Sequence, residues 1–178
     1  MRIFLTGYMG CGKSTIGRKL AALMGINFID LDKYIEERNF KSVPNIFAQE
    51  GEDAFREKER QALHEVAEFE DIVIGTGGGA PCFFDNMKMM NKAGITIYLA
   101  PDNETLAWRL LKSKTERPLI AGKSREELLL FIEKALEKRG PFYEQSKIVI
   151  RGKSDVQPEE VLRLISEYTE GISAASQP

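Results

Sequence analysis

Gly7-Tyr-Met-Gly-Cys-Gly-Lys-Ser14 follows the apolar run Ile3-Phe-Leu5 and leads into a stretch of helical periodicity that ends at Met24-Gly25. It fits the template G-x-x-x-x-G-K-[ST] in full, and it does so between an expected strand and an expected helix, the setting that gives the motif meaning. The glycines let successive backbone N–H groups turn inward around phosphate oxygens, and the helix N-terminus adds its dipole. Lys13 can then reach the β- and γ-phosphates, and the Ser14 hydroxyl can ligate Mg²⁺. Gly10, Cys11, Gly12, Lys13, Ser14 and Thr15 are therefore the expected phosphate-binding residues. Cys11 is a small residue at a tolerant place in this loop.

From this loop outward, short β-rich runs alternate with longer helical ones, the pattern of a parallel sheet built from βαβ units. Strands are expected at Arg2–Thr6, Asn27–Leu31, Ile72–Gly75, Thr96–Ala100 and Lys147–Arg151. Helices are expected at Lys13–Met24, Asp53–Phe69, Phe84–Lys92, Asn103–Leu111, Arg125–Arg139 and Glu159–Tyr168. Ser124 with Glu127 reads as a capping box, Pro158 suits a first helical turn, and Gly25 and Gly140 suit helix ends. The expected fold is a three-layer α/β/α P-loop NTPase domain with a five-stranded parallel sheet, whose strand order the pattern leaves open. Lys112 to Lys123 has no clean period and is basic, which marks a functional connection or a disordered one.

The chain of 178 residues suits one domain, and a hydrophobic fraction of 43% with 29% charged residues is that of a soluble globular protein. A net charge of −2 gives no electrostatic case for nucleic-acid binding. No apolar run is long enough for a membrane span. Two cysteines, Cys11 and Cys82, make no disulfide framework and favour a reducing cytoplasm. Residues 171–178 are small and polar and read as a flexible tail.

A GTPase needs Asn-Lys-x-Asp, and Asn91-Lys-Ala-Gly94 lacks the aspartate. The acid that a P-loop site needs for Mg²⁺ is expected from Asp30 or Asp32, which point to the same face if both lie in a strand. Helix capping by Asp32 competes with that reading. Gly77-Gly-Gly79, at the end of the third expected strand, gives up side-chain contacts, so something must pass close to this backbone. A ring-shaped acceptor lying on the glycines is the expected reason.

Together, Gly7 to Thr15, Asp30-Leu-Asp32, Ile46 to Glu59, Gly77-Gly-Gly79, Arg117-Pro-Leu and Lys138-Arg-Gly-Pro-Phe-Tyr143 resemble shikimate kinase, over about residues 3–165. The resemblance implies a single kinase domain over residues 1–170, with an acceptor-binding region at about 33–60 and a mobile lid at 112–124. It implies that Asp32, Arg56, Gly77, Gly78, Gly79 and Arg139 bind shikimate and that Asp30, with Ser14, holds Mg²⁺. Arg117 contacts the phosphates from the lid, and Glu59 supports Arg56 from the same helix face. Arg109 and Pro158 are expected beside the adenine. Catalysis is assigned to Lys13, Asp32 and Arg117, with ATP as co-substrate and a monomeric, cytoplasmic enzyme.

The residues alone leave other readings open. Arg56 can be a solvated helix charge, Arg139 a complement to a helix dipole, Arg117 an ordinary loop charge, and Phe47 and Phe55 core rather than ligand wall. His64 reads as a surface bystander and Trp108 as packing on its helix. At the level of function, the alternatives are another small-molecule kinase of the gluconate kinase type and a nucleotide-binding module without turnover.

Overall fold

The structure, a computed structural model, describes residues 1–113, 120–152 and 156–175, the last three of these by backbone alone. In chain order the elements are β1 (Arg2–Thr6), α1 (Lys13–Met24), β2 (Asn27–Asp30), α2 (Leu31–Asn39), α3 (Val43–Ala67), β3 (Ile72–Gly75), α4 (Asn86–Ala93), β4 (Ile95–Pro101), α5 (Asn103–Lys112), α6 (Arg125–Tyr143), β5 (Ile148–Gly152) and α7 (Pro158–Ala175). The strands form one sheet in the order β2-β3-β1-β4-β5, and every pairing is parallel.

Alternation along the central strands divides the core in two. Ile3, Leu5 and Val73 face one layer with Ile16, Leu20, Ile132 and Ile165, from α1, α6 and α7. Phe4, Ile72 and Ile74 face the other with Leu31, Ile35, Leu63 and Met90, from α2, α3 and α4. Sheets covered on both faces read as near-continuous apolar runs, as Ile72-Val-Ile74 does. The chain leaves β1 toward β2 and β3 on one side, then crosses to β4 and β5 on the other. A crevice at the carboxyl ends of the strands follows from that reversal, and Gly75 pairs with both Leu5 and Asp30 at its rim.

Several local expectations differ from the structure. Strand β2 stops at Asp30, and Asp32 stands in the first turn of α2, so the same-face argument from strand periodicity does not apply. Asp30, not Asp32, occupies the N-cap of α2, and its side chain makes no capping bond. Helix α3 begins at Val43, ten residues before its expected start at Asp53, with the Ser42 side chain accepting from the Asn45 N–H. It is two helices joined at Gly51, whose φ of 85° suits a residue without Cβ.

Helix α6 does not end at Arg139 but runs through Gly140 and Pro141 to Tyr143. The capping box at Ser124 and Glu127 is complete in both directions, and α1 ends on left-handed Gly25. Helix α7 starts at Pro158, one residue before its expected start at Glu159, and continues to Ala175, into the stretch read as a tail. Trp108 is exposed, with the Lys112 ammonium 4.3 Å from its ring centre, rather than packed. No described helix is long and apolar enough to cross a membrane.

Candidate active site

A cavity of about 590 Å³ opens at the carboxyl ends of the strands, lined by the loop from Met9 to Thr15, by Asp30 and Asp32, by Gly78, and by Arg109, Val156 and Gln157. The loop turns through glycines that side chains cannot replace freely. Gly10 and Gly12 have φ of 81° and 106°, and Gly12 delivers the chain into α1. At Gly7 a Cβ would meet the Leu99 carbonyl oxygen at 2.7 Å.

Lys13 lies over this loop, with Nζ donating to the carbonyls of Gly7 at 2.7 Å and Tyr8 at 3.1 Å and lying 3.6 Å from Cys11 Sγ. The Ser14 hydroxyl donates to Asp30 Oδ2 at 2.6 Å. That pair offers hard oxygen donors from the start of α1 and the end of β2, the donor chemistry Mg²⁺ takes while keeping several waters. Arg109 Nη1 donates to the Cys11 carbonyl at 3.0 Å, which puts its guanidinium on the cavity wall. Pro158 is buried at the start of α7, and its neighbours Val156 and Gln157 line the cavity instead. Arg117 lies outside the described residues.

Asp32 opens to solvent in the cleft but is crowded by protein on its other sides. That crowding and the adjacent Asp30 charge push its carboxyl above the ordinary carboxylate range, while Lys13 pulls the other way. A carboxylate so placed is suited to accept a proton.

Next to Asp32, outside the lining of this cavity save for Gly78, stand groups from α3, α6 and the glycine loop. Arg56 is 8% exposed, and its guanidinium is held on three sides. Nε and Nη2 donate to Glu52 Oε1 at 3.3 and 3.0 Å, and Nη1 donates to Glu59 Oε2 at 2.8 Å. Its carbon lies 4.0 Å from the ring centre of Phe83 and 5.1 Å from that of Phe55, a favourable stacking for a cation. A guanidinium has five N–H groups, so one N–H on each terminal nitrogen remains after these bonds. Phe55 is core and stacks on half-exposed Phe47 at 4.4 Å, so Phe55 buttresses Arg56 rather than walling the cavity.

Two of the three glycines have a reason within the protein itself. A Cβ on Gly77 would sit 2.5 Å from Glu59 Oε1 and 2.9 Å from Asp32 Oδ1. One on Gly79 would sit 2.6 and 2.8 Å from the terminal nitrogens of Arg56. Gly77 and Gly79 thus make way for the protein's own charged groups before any ligand arrives. At Gly78 a Cβ would make only ordinary contact.

Glu59 is 1% exposed, and its Oε1 has no hydrogen-bond partner among the described residues. Burial pushes its carboxyl up to about 7 against the pull of Arg56 and Arg139. Arg139, on α6, lies over the Tyr8 ring and near Glu59, so both arginines stand beside this carboxyl. His64 is exposed on α3, away from these groups.

The structure brings together Lys13, Ser14, Asp30, Asp32, Arg56, Arg139 and the glycines. Sequence reasoning gave no role to Glu52, Phe83 or Tyr143. Glu52 and Glu59 stand four before and three after Arg56, a spacing that was legible. Phe83 carried no such signal. Tyr143 stands one turn beyond Arg139, but Gly140-Pro141 hid that turn.

The shikimate kinase family model matches residues 9–170. The shikimate kinase of Parabacteroides distasonis is 60% identical over 147 residues, which span 83% of this chain and 85% of that protein. The crystal structure of shikimate kinase from Bacteroides thetaiotaomicron superposes with a TM-score of 0.88 at 49% identity, over 96% of this chain and 98% of that one. Shikimate kinase from Acinetobacter baumannii, solved in complex with shikimate, gives 0.79 at 32% identity over 99% and 95%. A gluconokinase from Sinorhizobium meliloti shares the fold, with a TM-score of 0.65 at 17% identity over 99% and 97%.

Proposed function

This chain belongs to the shikimate kinase family, and we propose from that premise how its cleft carries out the ATP-dependent phosphorylation of shikimate. The observation that carries the reading is the unfilled edge of the Arg56 guanidinium. One N–H on each terminal nitrogen of this buried, caged cation is left over by its bonds to Glu52 and Glu59, and glycine at position 79 keeps a Cβ from lying 2.6 and 2.8 Å from those nitrogens. A carboxylate accepts such a fork bidentately, and shikimate is a carboxylate. Arg139 supplies the second cation.

The 3-hydroxyl of shikimate is the acceptor, with Asp32 orienting it and taking its proton as the bond to phosphorus forms. Gly78 and Gly79 offer backbone N–H groups to the ring substituents. On the donor side the loop from Gly10 to Thr15 cradles the phosphates, and Lys13 moves from the loop carbonyls onto the β- and γ-oxygens. Ser14 and Asp30 would hold Mg²⁺, which would neutralise phosphate charge there. Arg109 flanks the base. Arg117 is assigned to the phosphates from the lid, where closure excludes water. Positioning and electrostatics carry such a transfer, and no covalent enzyme intermediate is required. The enzyme acts as a monomer, as the resemblance implies, in the cytoplasm, where its free cysteines stay reduced.

The test is ADP release from Mg·ATP with and without shikimate, with gluconate as the control acceptor. Shikimate-dependent turnover is expected, falling about 10²–10⁴-fold in Asp32→Asn and losing saturation by shikimate in Arg139→Ala. Release stimulated by gluconate instead would keep the fold and overturn the acceptor.

A further inference from the structure

The peptide joining Gly78 to Gly79 is oriented by one residue outside the loop. Its carbonyl accepts a hydrogen bond from the Tyr143 hydroxyl. Its N–H, contributed by Gly79, has no partner among the described residues, and neither has the Gly78 N–H. No described peptide bond is cis, so the carbonyl and the N–H of this unit point in opposite directions. Anchoring the oxygen to the end of α6 therefore turns the Gly79 N–H to the other side.

Tyr143 is built as an anchor. Its side chain is fully buried and lies 5.1 Å from the Tyr98 ring, centre to centre. It closes α6 one turn after Arg139, whose guanidinium lies beside the phenol together with the Cys82 thiol. Burial pushes the phenol far above its ordinary range, so it stays a donor at any working pH. One hydroxyl thus joins the glycine loop after β3 to the helix turn that carries the second cation of the clamp.

We propose that Tyr143 is a positioning residue of the reaction. It fixes the Gly78–Gly79 peptide so that the Gly79 N–H faces the acceptor, in register with Arg139. The inference rests on the reading of this cleft as the shikimate site. A hydroxyl that only satisfies a buried carbonyl would matter for stability and for neither substrate in particular.

Tyr143→Phe keeps the ring and removes the hydroxyl. In the full chain the shikimate KM is expected to rise about tenfold, the worth of one oriented hydrogen bond, with the ATP KM unchanged and kcat held within about threefold. The ¹⁵N–¹H signal of Gly79 is expected to move on adding shikimate to the wild type and to move less in the variant. An unchanged shikimate KM, or equal losses for both substrates with a lower melting temperature, overturns the role of Tyr143. If the variant fails to fold, the wild type decides: a Gly79 signal that ignores shikimate overturns the proposal, and one that moves supports it. Wild-type protein without shikimate-dependent turnover overturns the reading of the site itself, which is a separate failure.

Discussion

Gly77 and Glu59 are packed so closely that the glycine's missing Cβ would lie 2.5 Å from Glu59 Oε1. The carboxyl oxygen without a hydrogen-bond partner among the described residues is thus the one that closes on the glycine loop, while its twin holds Arg56. The loop after the third strand carries glycine at position 77 because a buried carboxyl from α3 occupies the place of a side chain.

Gly77→Ala is expected to displace Glu59 and Asp32 together. Overpacking of this kind costs about 1–3 kcal/mol, and the loss in kcat/KM is expected on the shikimate side. Titration of the variant with ATP should give wild-type affinity, because the phosphate loop is not in contact with the new methyl group. Equal weakening of both substrates would show that the strand end, rather than the carboxylates, had moved.

Stability should fall as pH rises through the range set by Glu59. Its carboxyl is raised from 4.5 to about 7 in the folded protein, so the native state holds this proton more tightly than the unfolded chain does. Its contribution is full below about pH 4.5 and is lost as pH climbs through about 7. Urea midpoints across that window should decline more steeply in the wild type than in Glu59→Gln, by on the order of 2 kcal/mol over the range. Identical slopes would mean that Glu59 ionises as freely as an exposed carboxyl.

Gly7→Ala combines two obstacles, a φ of 132° and a backbone oxygen 2.7 Å from the added carbon. A carbonyl held in β4 cannot rotate away as a side chain can. We expect a loss of about 1–3 kcal/mol in stability, with nucleotide affinity reduced more than tenfold by calorimetry. Wild-type ATP binding in this variant would show that the loop tolerates another path.

Phe83→Ala removes the ring nearest the Arg56 guanidinium, at 4.0 Å. Such stacking is worth about 0.5–2 kcal/mol, so the shikimate KM should rise by about three- to thirtyfold, with ATP unaffected. A KM that stays fixed would assign the orientation of Arg56 to Glu52 and Glu59 alone.

Much of this was legible in the chain. The loop from Gly7 to Ser14 specified strand, turn and helix together, because its spacing answers to phosphate geometry. All five strands lie within a residue or two of their expected bounds, since a sheet buried on both faces writes itself as short apolar runs. Less legible was whatever depended on tertiary support. Gly140-Pro141 reads as a helix end, yet α6 carries on to bury Tyr143 against Tyr98. The purpose of Gly77 and Gly79 was invisible without knowing that Glu59 and Arg56, on another element, would reach them. Phe83 gave no signal, because stacking on a distant arginine has no periodicity. The strand order lay outside what local pattern encodes.

Lys13, resting on the carbonyls of Gly7 and Tyr8, bears on how the phosphate loop keeps its shape. Carbonyls that converge on one point repel each other, and a loop without side-chain support would otherwise fold inward to relieve them. The ammonium acts as an internal counter-ion, so the nest of N–H groups is already shaped before phosphate enters. Little ordering entropy then remains for the ligand to overcome. A lysine in this place is a scaffold for the loop that carries it. Replacing it should leave a collapsed loop as well as a missing charge.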